Sequence, residues 1–300
     1  MNQYIGEIAA LGTAFCWSIG SIFFTISSRK IGHNTVNRLR LIAGLILLMI
    51  AHFVLTGTLW PQQITYEHWL WFGLSGIIGF VIGDTLLFRS FVIVGPRLAM
   101  IMMALVPVFS TLIAWLFLNE VLILPDIVAI FITLGGISWV ILSRQKRKPA
   151  EKIKDLYAAG LLCGIGGALG QAIGLVFSKK GLMTGFPPLA GNILRICVAS
   201  LVIWAIAATS SKLAPTIGSI KNKRAFLAMC GGAFLGPFLG VWLSLIAVDN
   251  AYVGIASTLM ALPPVFLIPL SHWVFKERIT LGSILGTIVT MIGVTLIFLL

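Results

Sequence analysis

The sequence predicts an all-α integral membrane protein with ten transmembrane helices, arranged as two inverted repeats of five. Three observations predict this fold. Of the 300 residues, 59% are hydrophobic and only 10% are charged, whereas soluble domains average about 25% charged residues. The apolar residues form runs of about 20, which is the length that crosses a bilayer. The second half of the chain also repeats the pattern of the first.

Polar or charged residues separate the apolar runs. Because lipid offers the backbone no hydrogen-bond partners, uniformly apolar runs of this length predict helices and not the strands of a barrel. The first run has no Lys or Arg before it and is too long for a signal-peptide core, so we expect it to remain as a span. The ten predicted spans are 5–27, 37–56, 68–91, 96–118, 124–143, 157–177, 187–209, 225–247, 252–275 and 280–300.

An internal repeat is visible when the chain is aligned with itself. Met103–Phe109 matches Met260–Phe266 at six of seven positions, an offset of 157 residues. The basic stretch 144–156 separates the halves, so we predict a first repeat over 1–143 and a second over 157–300. The same offset pairs Gly79 with Gly236, Gly83 with Gly240, Ala99 with Ala256, Glu120 with Glu277, Thr133 with Thr290 and Gly136 with Gly293.

An odd number of spans in each repeat means that the two copies enter the membrane from opposite sides. Every Lys and Arg except Lys179, Lys180 and Arg195 lies in or flanks an odd-numbered connection between spans. The positive-inside rule therefore places both termini outside the cytoplasm. The net charge of +12 is explained by this orienting pattern, and we predict no nucleic-acid partner.

Two spans carry glycines at every fourth position, a spacing that lets helix backbones approach closely. Static packing explains such ridges, and sliding of helices during a conformational change is the functional alternative. The ridges are Gly166, Gly170 and Gly174 on the sixth span and Gly232, Gly236 and Gly240 on the eighth.

Pro107 and Pro264 occupy equivalent positions near the middle of the fourth and ninth spans. A proline inside a helix leaves the carbonyl four residues earlier, here of Met103 and Met260, without its helical partner. In lipid such a carbonyl must be satisfied by neighbours or line a wet cavity. The pair predicts helix breaks beside a central site, and a purely structural kink is the alternative.

Ionisable residues are rare within the spans, and each costs several kcal/mol at the bilayer centre unless it is paired or hydrated. Asp84 is the most deeply placed acid. It is a candidate for substrate or proton binding, with pairing to a neighbouring helix as the alternative. Arg40 and Arg195 lie near the start of the second and seventh spans, where we expect interfacial anchors.

A small-molecule cavity needs a few polar groups among apolar walls. Several spans supply such side chains, although packing explains each one taken alone. Together with Asp84, Met103 and Met260, the predicted substrate-binding residues are Trp17, Ser21, Gln171, Trp242 and Thr258.

Motifs for enzyme chemistry are weak. Gly73-Leu-Ser75-Gly76 has the pattern of an intramembrane serine nucleophile, with His52 or His272 as a conceivable base. Ser75 aligns with Gly232 in the second repeat, however, which favours packing. The chain has no phosphate loop, no HExxH pair and no CxxC pair, so we predict no metal, no cofactor and no enzyme activity.

Each repeat contains a helix with Pro-Val-Phe, a Glu about thirteen residues later and a last helix with Gly. This doubled pattern resembles the drug/metabolite transporter superfamily, specifically its EamA type. The resemblance implies a secondary transporter in which two inverted repeats alternately expose a central cavity to each side. It further implies movement of small metabolites or amino acids, often outward, across the inner (plasma) membrane. The residues that carry it are Pro107, Glu120, Gly136, Pro264, Glu277 and Gly293.

The expected partners are a small-molecule substrate and the lipid bilayer, with protons as a further partner through Asp84, in a monomer or homodimer. Relatives are drawn with both termini in the cytoplasm, opposite to the orientation that the charges predict.

The first span has only Glu7 near its end, so it lacks the central Glu that small multidrug carriers of the superfamily use for proton exchange. An intramembrane enzyme and a passive channel or scramblase are the alternative functions.

Overall fold

The structure, a computed structural model, describes residues 5–117, 124–144, 151–250, 259–276 and 280–299. This part of the chain is helical and contains no strand. The helices are α1 (Ile5–Ile31), α2 (His33–Thr56), α3 (Tyr66–Ile93), α4 (Pro96–Met103), α5 (Leu105–Phe117), α6 (Leu124–Arg144), α7 (Glu151–Leu182), α8 (Pro188–Thr209), α9 (Leu213–Gly218), α10 (Lys223–Asn250), α11 (Pro263–Phe275) and α12 (Leu281–Leu299).

Six helices are long and apolar enough to cross a membrane: α1, α2, α3, the Asp155–Leu182 part of α7, α8 and α10. They coincide with the predicted spans one, two, three, six, seven and eight. The prediction of an all-helical fold is therefore confirmed for the described residues, and helices of membrane-spanning length occupy six of the ten predicted spans. Shorter apolar helices occupy the other predicted positions, over Pro96–Ser110, Ile127–Val140, Pro263–Phe275 and Leu281–Leu296.

The predicted fourth span is divided into two helices. α4 ends at Met103, the N–H of Ala104 donates to the carbonyl of Ile101 at 3.1 Å, and α5 begins with Leu105. Pro107 is therefore the third residue of α5 and not a residue in the middle of a long helix. Its missing N–H removes no bond there, because the first turn of a helix has no intrahelical acceptors for its N–H groups.

The second repeat has a similar boundary at the equivalent proline. Pro263 and Pro264 are the first two residues of α11, and the preceding turn is closed by the Leu262 N–H, which donates to the Leu259 carbonyl at 3.3 Å. The predicted ninth span, 252–275, is described only from residue 259. In both repeats the helix boundary precedes the proline, which is where its fixed φ fits a helix start.

Each repeat contains one long helix with a π-helical segment, in which the backbone turn is wider than in an α-helix. In α3 the segment is Ile77–Gly83, and in α10 it is Phe234–Gly240. The two segments are separated by the same 157 residues as the sequence repeat. Pro237 accounts for part of the second distortion, because it has no N–H to donate.

Glycines bring the helices of the two repeats into close contact. A Cβ atom added to Gly170 of α7 would lie 2.8 Å from the Cα of Gly83 in α3, and one added to Gly236 of α10 would lie 3.0 Å from the ring of Phe24 in α1. Only glycine permits these separations. The first helix of each repeat thus packs on the long π-containing helix of the other repeat.

α6 and α12, which are equivalent helices of the two repeats, pack against each other along their length. A Cβ atom added to Gly136 would lie 2.8 Å from the Cα of Thr290, and one added to Gly293 would lie 2.9 Å from the Cα of Thr133. The pairing is reciprocal, and the residue numbers rise on one helix as they fall on the other. The two helices therefore run antiparallel.

We expect Gly136→Ala to destabilise the protein by about 1–3 kcal/mol, because the added methyl group overpacks the contact with Thr290. Gly135→Ala is the matched control, since nothing lies within 4 Å of a Cβ at Gly135. The control should be neutral or more stable by up to about 1 kcal/mol, because alanine favours helix over glycine. Thermal unfolding of the detergent-solubilised variants measures both effects, and equal stability of the two variants would contradict the packing assignment.

Candidate functional site

Two adjoining cavities of about 710 Å³ and about 520 Å³ lie between the helices of both repeats. The larger one reaches the α4–α5 boundary and the start of α11, and the smaller one reaches the interior side of α2. The residues that line both cavities are Trp17, Phe80, Met100, Met103, Gln171 and Val241.

A buried ion pair forms one wall of the smaller cavity. The Arg40 guanidinium of α2 donates to Asp84 of α3, and the two residues are only 3% and 5% exposed. The guanidinium is also surrounded by aromatic rings, with its carbon 4.6 Å from the centroid of Phe88 and 5.3 Å from that of Phe24. The rings replace water around the charge, and the carboxylate neutralises it.

Hydrogen bonds hold this pair in place from two sides. Nε of Arg40 donates to the side-chain oxygen of Asn37 at 2.9 Å, and the Asn37 amide donates to the carbonyl of Phe80 at 2.9 Å. From α7, Gln171 donates to the second carboxylate oxygen of Asp84 at 2.6 Å and to the Gly79 carbonyl at 3.2 Å. The amide of Gln171 thus connects α7 to the π-helical segment of α3 and satisfies a carbonyl there.

Arg195 of α8 lines the larger cavity and is only 3% exposed. Its guanidinium carbon lies 4.7 Å from the centroid of Phe80. Within the described part of the chain, no hydrogen bond to the guanidinium is formed, and its Nε is buried without a partner. The group is fixed by stacking on the ring but keeps its hydrogen-bond donors unused.

The family model of the EamA-like transporter family matches residues 4–142 and 158–299, which is almost the entire chain in two copies. The chain belongs to the EamA-like transporter family. This confirms the resemblance to the drug/metabolite transporter superfamily and assigns the protein to a family of membrane transporters. The two matched segments also correspond to the two sequence repeats.

The fold of this EamA-like protein is also found among solved structures. One crystal structure, described only as that of a protein, superposes with a TM-score of 0.66 at 16% sequence identity, covering 97% of this chain and 95% of the other. At this identity the match shows a shared fold and nothing further. No curated protein matches the sequence at a significant level.

The structure places most of the predicted site residues around the two cavities. The larger cavity is lined by Trp17, Met103, Pro107, Gln171, Met260 and Pro264, and the smaller one by Trp17, Ser21, Asp84, Met103 and Gln171. Trp242 lines neither cavity and packs on Phe238, with 6.0 Å between ring centroids. Thr258, Glu120 and Glu277 lie outside the described residues.

The expectation that Arg40 and Arg195 anchor the EamA-like protein at the membrane interface is wrong. Both guanidinium groups are buried inside the helix bundle, where several aromatic rings surround that of Arg40 and the ring of Phe80 lies against that of Arg195. Their repeated Asn-x-x-Arg pattern was the sequence signal for a shared internal role. Val241 is a further cavity residue that the sequence did not single out.

Ser75 lies in a helix contact and not in either cavity. Its hydroxyl donates to the carbonyl of Gly174 at 2.5 Å and lies 2.7 Å from the hydroxyl of Ser178. The side chain is completely buried between α3 and α7. This contact gives Ser75 a role in helix packing, which is the interpretation that its alignment with Gly232 favours.

We expect Arg40→Met to destabilise the protein by about 3–5 kcal/mol, because it leaves the Asp84 carboxylate buried without its main partner. The double variant Arg40→Met with Asp84→Leu removes both charges and should recover most of this loss. Arg89→Met is the control, since Arg89 is exposed on the same helix as Asp84. Apparent melting temperatures in detergent give the comparison, and a double variant as unstable as the single one would contradict the pairing.

Proposed function

We propose that this EamA-like protein is a secondary carrier that exports small metabolites or amino acids across the inner (plasma) membrane. Its two repeats, over 1–143 and 157–300 with the basic linker 144–156 between them, contribute five spans each and face opposite sides of the membrane. Rocking of one repeat against the other alternately exposes the central cavities to the two sides. The family assignment supports transport, and the contacts between the repeats support this mechanism.

The antiparallel contact between α6 and α12 is the observation that carries the proposal. Thr133 and Gly136 of α6 correspond to Thr290 and Gly293 of α12 in the sequence repeat, and each threonine packs on the other helix's glycine. Two equivalent helices that pack antiparallel through reciprocal contacts are related by a two-fold axis perpendicular to the helix axes. Such an axis relates inverted repeats and would not relate repeats that point the same way.

A pair of equivalent contacts, one within each repeat, supports the structural equivalence of the two repeats. The side-chain amide of Asn37 donates to the carbonyl of Phe80, and that of Asn192 donates to the carbonyl of Pro237, both at 2.9 Å. Phe80 and Pro237 lie at the same position of the two π-helical segments. The second long helix of each repeat is therefore attached to the π-containing helix in the same way, α2 to α3 and α8 to α10. The cavities lie between these two helix pairs.

Exchange in proteoliposomes tests the carrier proposal. The vesicles are loaded with an unlabelled mixture of amino acids, and the uptake of each labelled amino acid is measured. For an amino acid that the protein transports, uptake should be faster than into empty vesicles, because a carrier reorients faster with substrate bound on the inside than with an empty site. Uptake should also saturate with concentration. Flux that rises linearly and shows no acceleration by internal substrate would indicate a channel and overturn the proposal.

Asp84 is the group through which a proton would couple to transport, because it is the one fully buried acid among the side chains that the structure describes. Asp84→Asn removes the titratable group but keeps an acceptor for Arg40, so we expect a folded protein with a lower melting temperature. Transport by this variant should lose its dependence on a pH gradient. Arg89→Gln is the control, and an unchanged pH dependence in Asp84→Asn would remove Asp84 from coupling.

A further inference from the structure

Equivalent arginines of the two repeats have different electrostatic surroundings. Arg40 and Arg195 each follow an asparagine by three residues, and each asparagine makes the same hydrogen bond to a π-helical segment. The backbone positions of the two arginines are therefore comparable. Yet Arg40 is bound to a carboxylate, and Arg195 has no hydrogen-bond partner among the described residues.

The difference arises at one position of the repeat. Asp84 follows the first π-helical segment directly, and the residue that follows the second segment is Val241. Val241 lines the larger cavity together with Arg195. The second repeat therefore has the arginine of the pair but an apolar side chain where the first repeat has the acid.

Asp84 is close enough to Arg195 for an electrostatic interaction but forms no hydrogen bond with it. One of its oxygens accepts from Arg40 and the other from Gln171. Among the side chains that the structure describes around the cavities, two guanidinium groups therefore face one carboxylate. The resulting charge of about +1 in a bilayer interior is unfavourable unless an anion or water offsets it.

Most of the cavity wall around Arg195 is apolar, and Gln171 and Ser244 are its other polar side chains. Trp17, Met103 and Pro264 line the same cavity, and Phe80 supports one face of the guanidinium at 4.7 Å. A planar guanidinium held in this way presents its N–H groups in the geometry that a carboxylate accepts through both oxygens. An apolar body attached to that carboxylate would fit the remaining wall.

We propose that Arg195 is the anion-binding group of the substrate site and that the substrate is a small organic carboxylate with an apolar body. This inference rests on the carrier function proposed above and specifies its substrate class. Val241 gives the site its selectivity, because an acid at this position would occupy Arg195 as Asp84 occupies Arg40. The carboxylate of the substrate takes the place that the acid holds in the first repeat.

Binding of matched carboxylate and amide probes to the purified protein tests this assignment. The probes are acetate with acetamide, hexanoate with hexanamide, and 3-phenylpropanoate with 3-phenylpropanamide, and affinity is obtained from the rise in melting temperature with probe concentration. For at least one pair, the wild-type protein should bind the carboxylate about ten- to a hundredfold tighter than the amide, the range of a hydrogen bond to a charged group. Equal affinities, or no binding of any probe, would overturn the proposal.

Three variants show whether Arg195 is responsible. Val241→Asp should abolish the preference for carboxylates, because the new acid pairs with Arg195, whereas Val241→Ala, which gives Arg195 no acceptor, should keep it. Arg195→Gln should also lose the preference, and Val241→Asp provides the decisive result if Arg195→Gln fails to fold. A preference that survives in Val241→Asp would contradict the role of Arg195.

Exchange of the same probes in proteoliposomes separates this inference from the carrier proposal. Selective binding of carboxylates without saturable exchange would keep the Arg195 site and contradict the carrier. Saturable exchange that does not distinguish carboxylates from amides would keep the carrier and contradict the Arg195 site.

Discussion

The interior of a bilayer supplies neither water nor counter-ions, so each buried polar group of this protein must find its partner within the helix bundle. The pair of Arg40 and Asp84 is where this constraint acts most strongly. It joins α2 to α3, it is supported from α7 by Gln171, and aromatic rings enclose it. Loss of either partner would leave a single buried charge, which is unfavourable. The pair therefore constrains the positions of the three helices relative to one another.

Close helix packing makes that arrangement possible. Gln171 reaches Asp84 because Gly170 and Gly174 let the backbone of α7 approach the π-helical segment of α3. The wider turn also leaves carbonyls that side chains can bind, and Asn37 and Gln171 use those of Phe80 and Gly79. Glycine spacing, π-helical distortion and polar side chains thus act together, and the cavities remain where the helices diverge.

The two repeats share their packing but differ in charge. Asparagine, arginine and the π-helical segment recur in both, whereas the acid Asp84 has Val241 as its equivalent. A duplicated fold can keep its symmetry in helix contacts, because those depend on small residues at matching positions. Its ligand site can lose the symmetry through a single residue, because one missing carboxylate changes the local charge.

Much of the site was accessible from the sequence, and the errors have a physical cause. Trp17 and Gln171, which line both cavities, were singled out because polar and aromatic side chains are scarce within apolar runs. Arg40 was predicted to lie at the membrane interface because its charge was taken to mark the start of the second span, which was predicted to begin at residue 37. The helix begins at His33, which puts Arg40 about 10 Å along its axis and inside the bundle.

The helical membrane fold and the duplication can be inferred without coordinates, because the length of an apolar run and an offset between matching residues are properties of the linear chain. The pairing of the charges becomes visible only in three dimensions. Arg40 meets Asp84 across 44 residues and Asp84 meets Gln171 across 87, and such contacts depend on how helices rotate and approach in three dimensions. That Arg195 has no hydrogen-bond partner among the described residues follows from the same geometry, since an unused donor is recognised only when its neighbours are known.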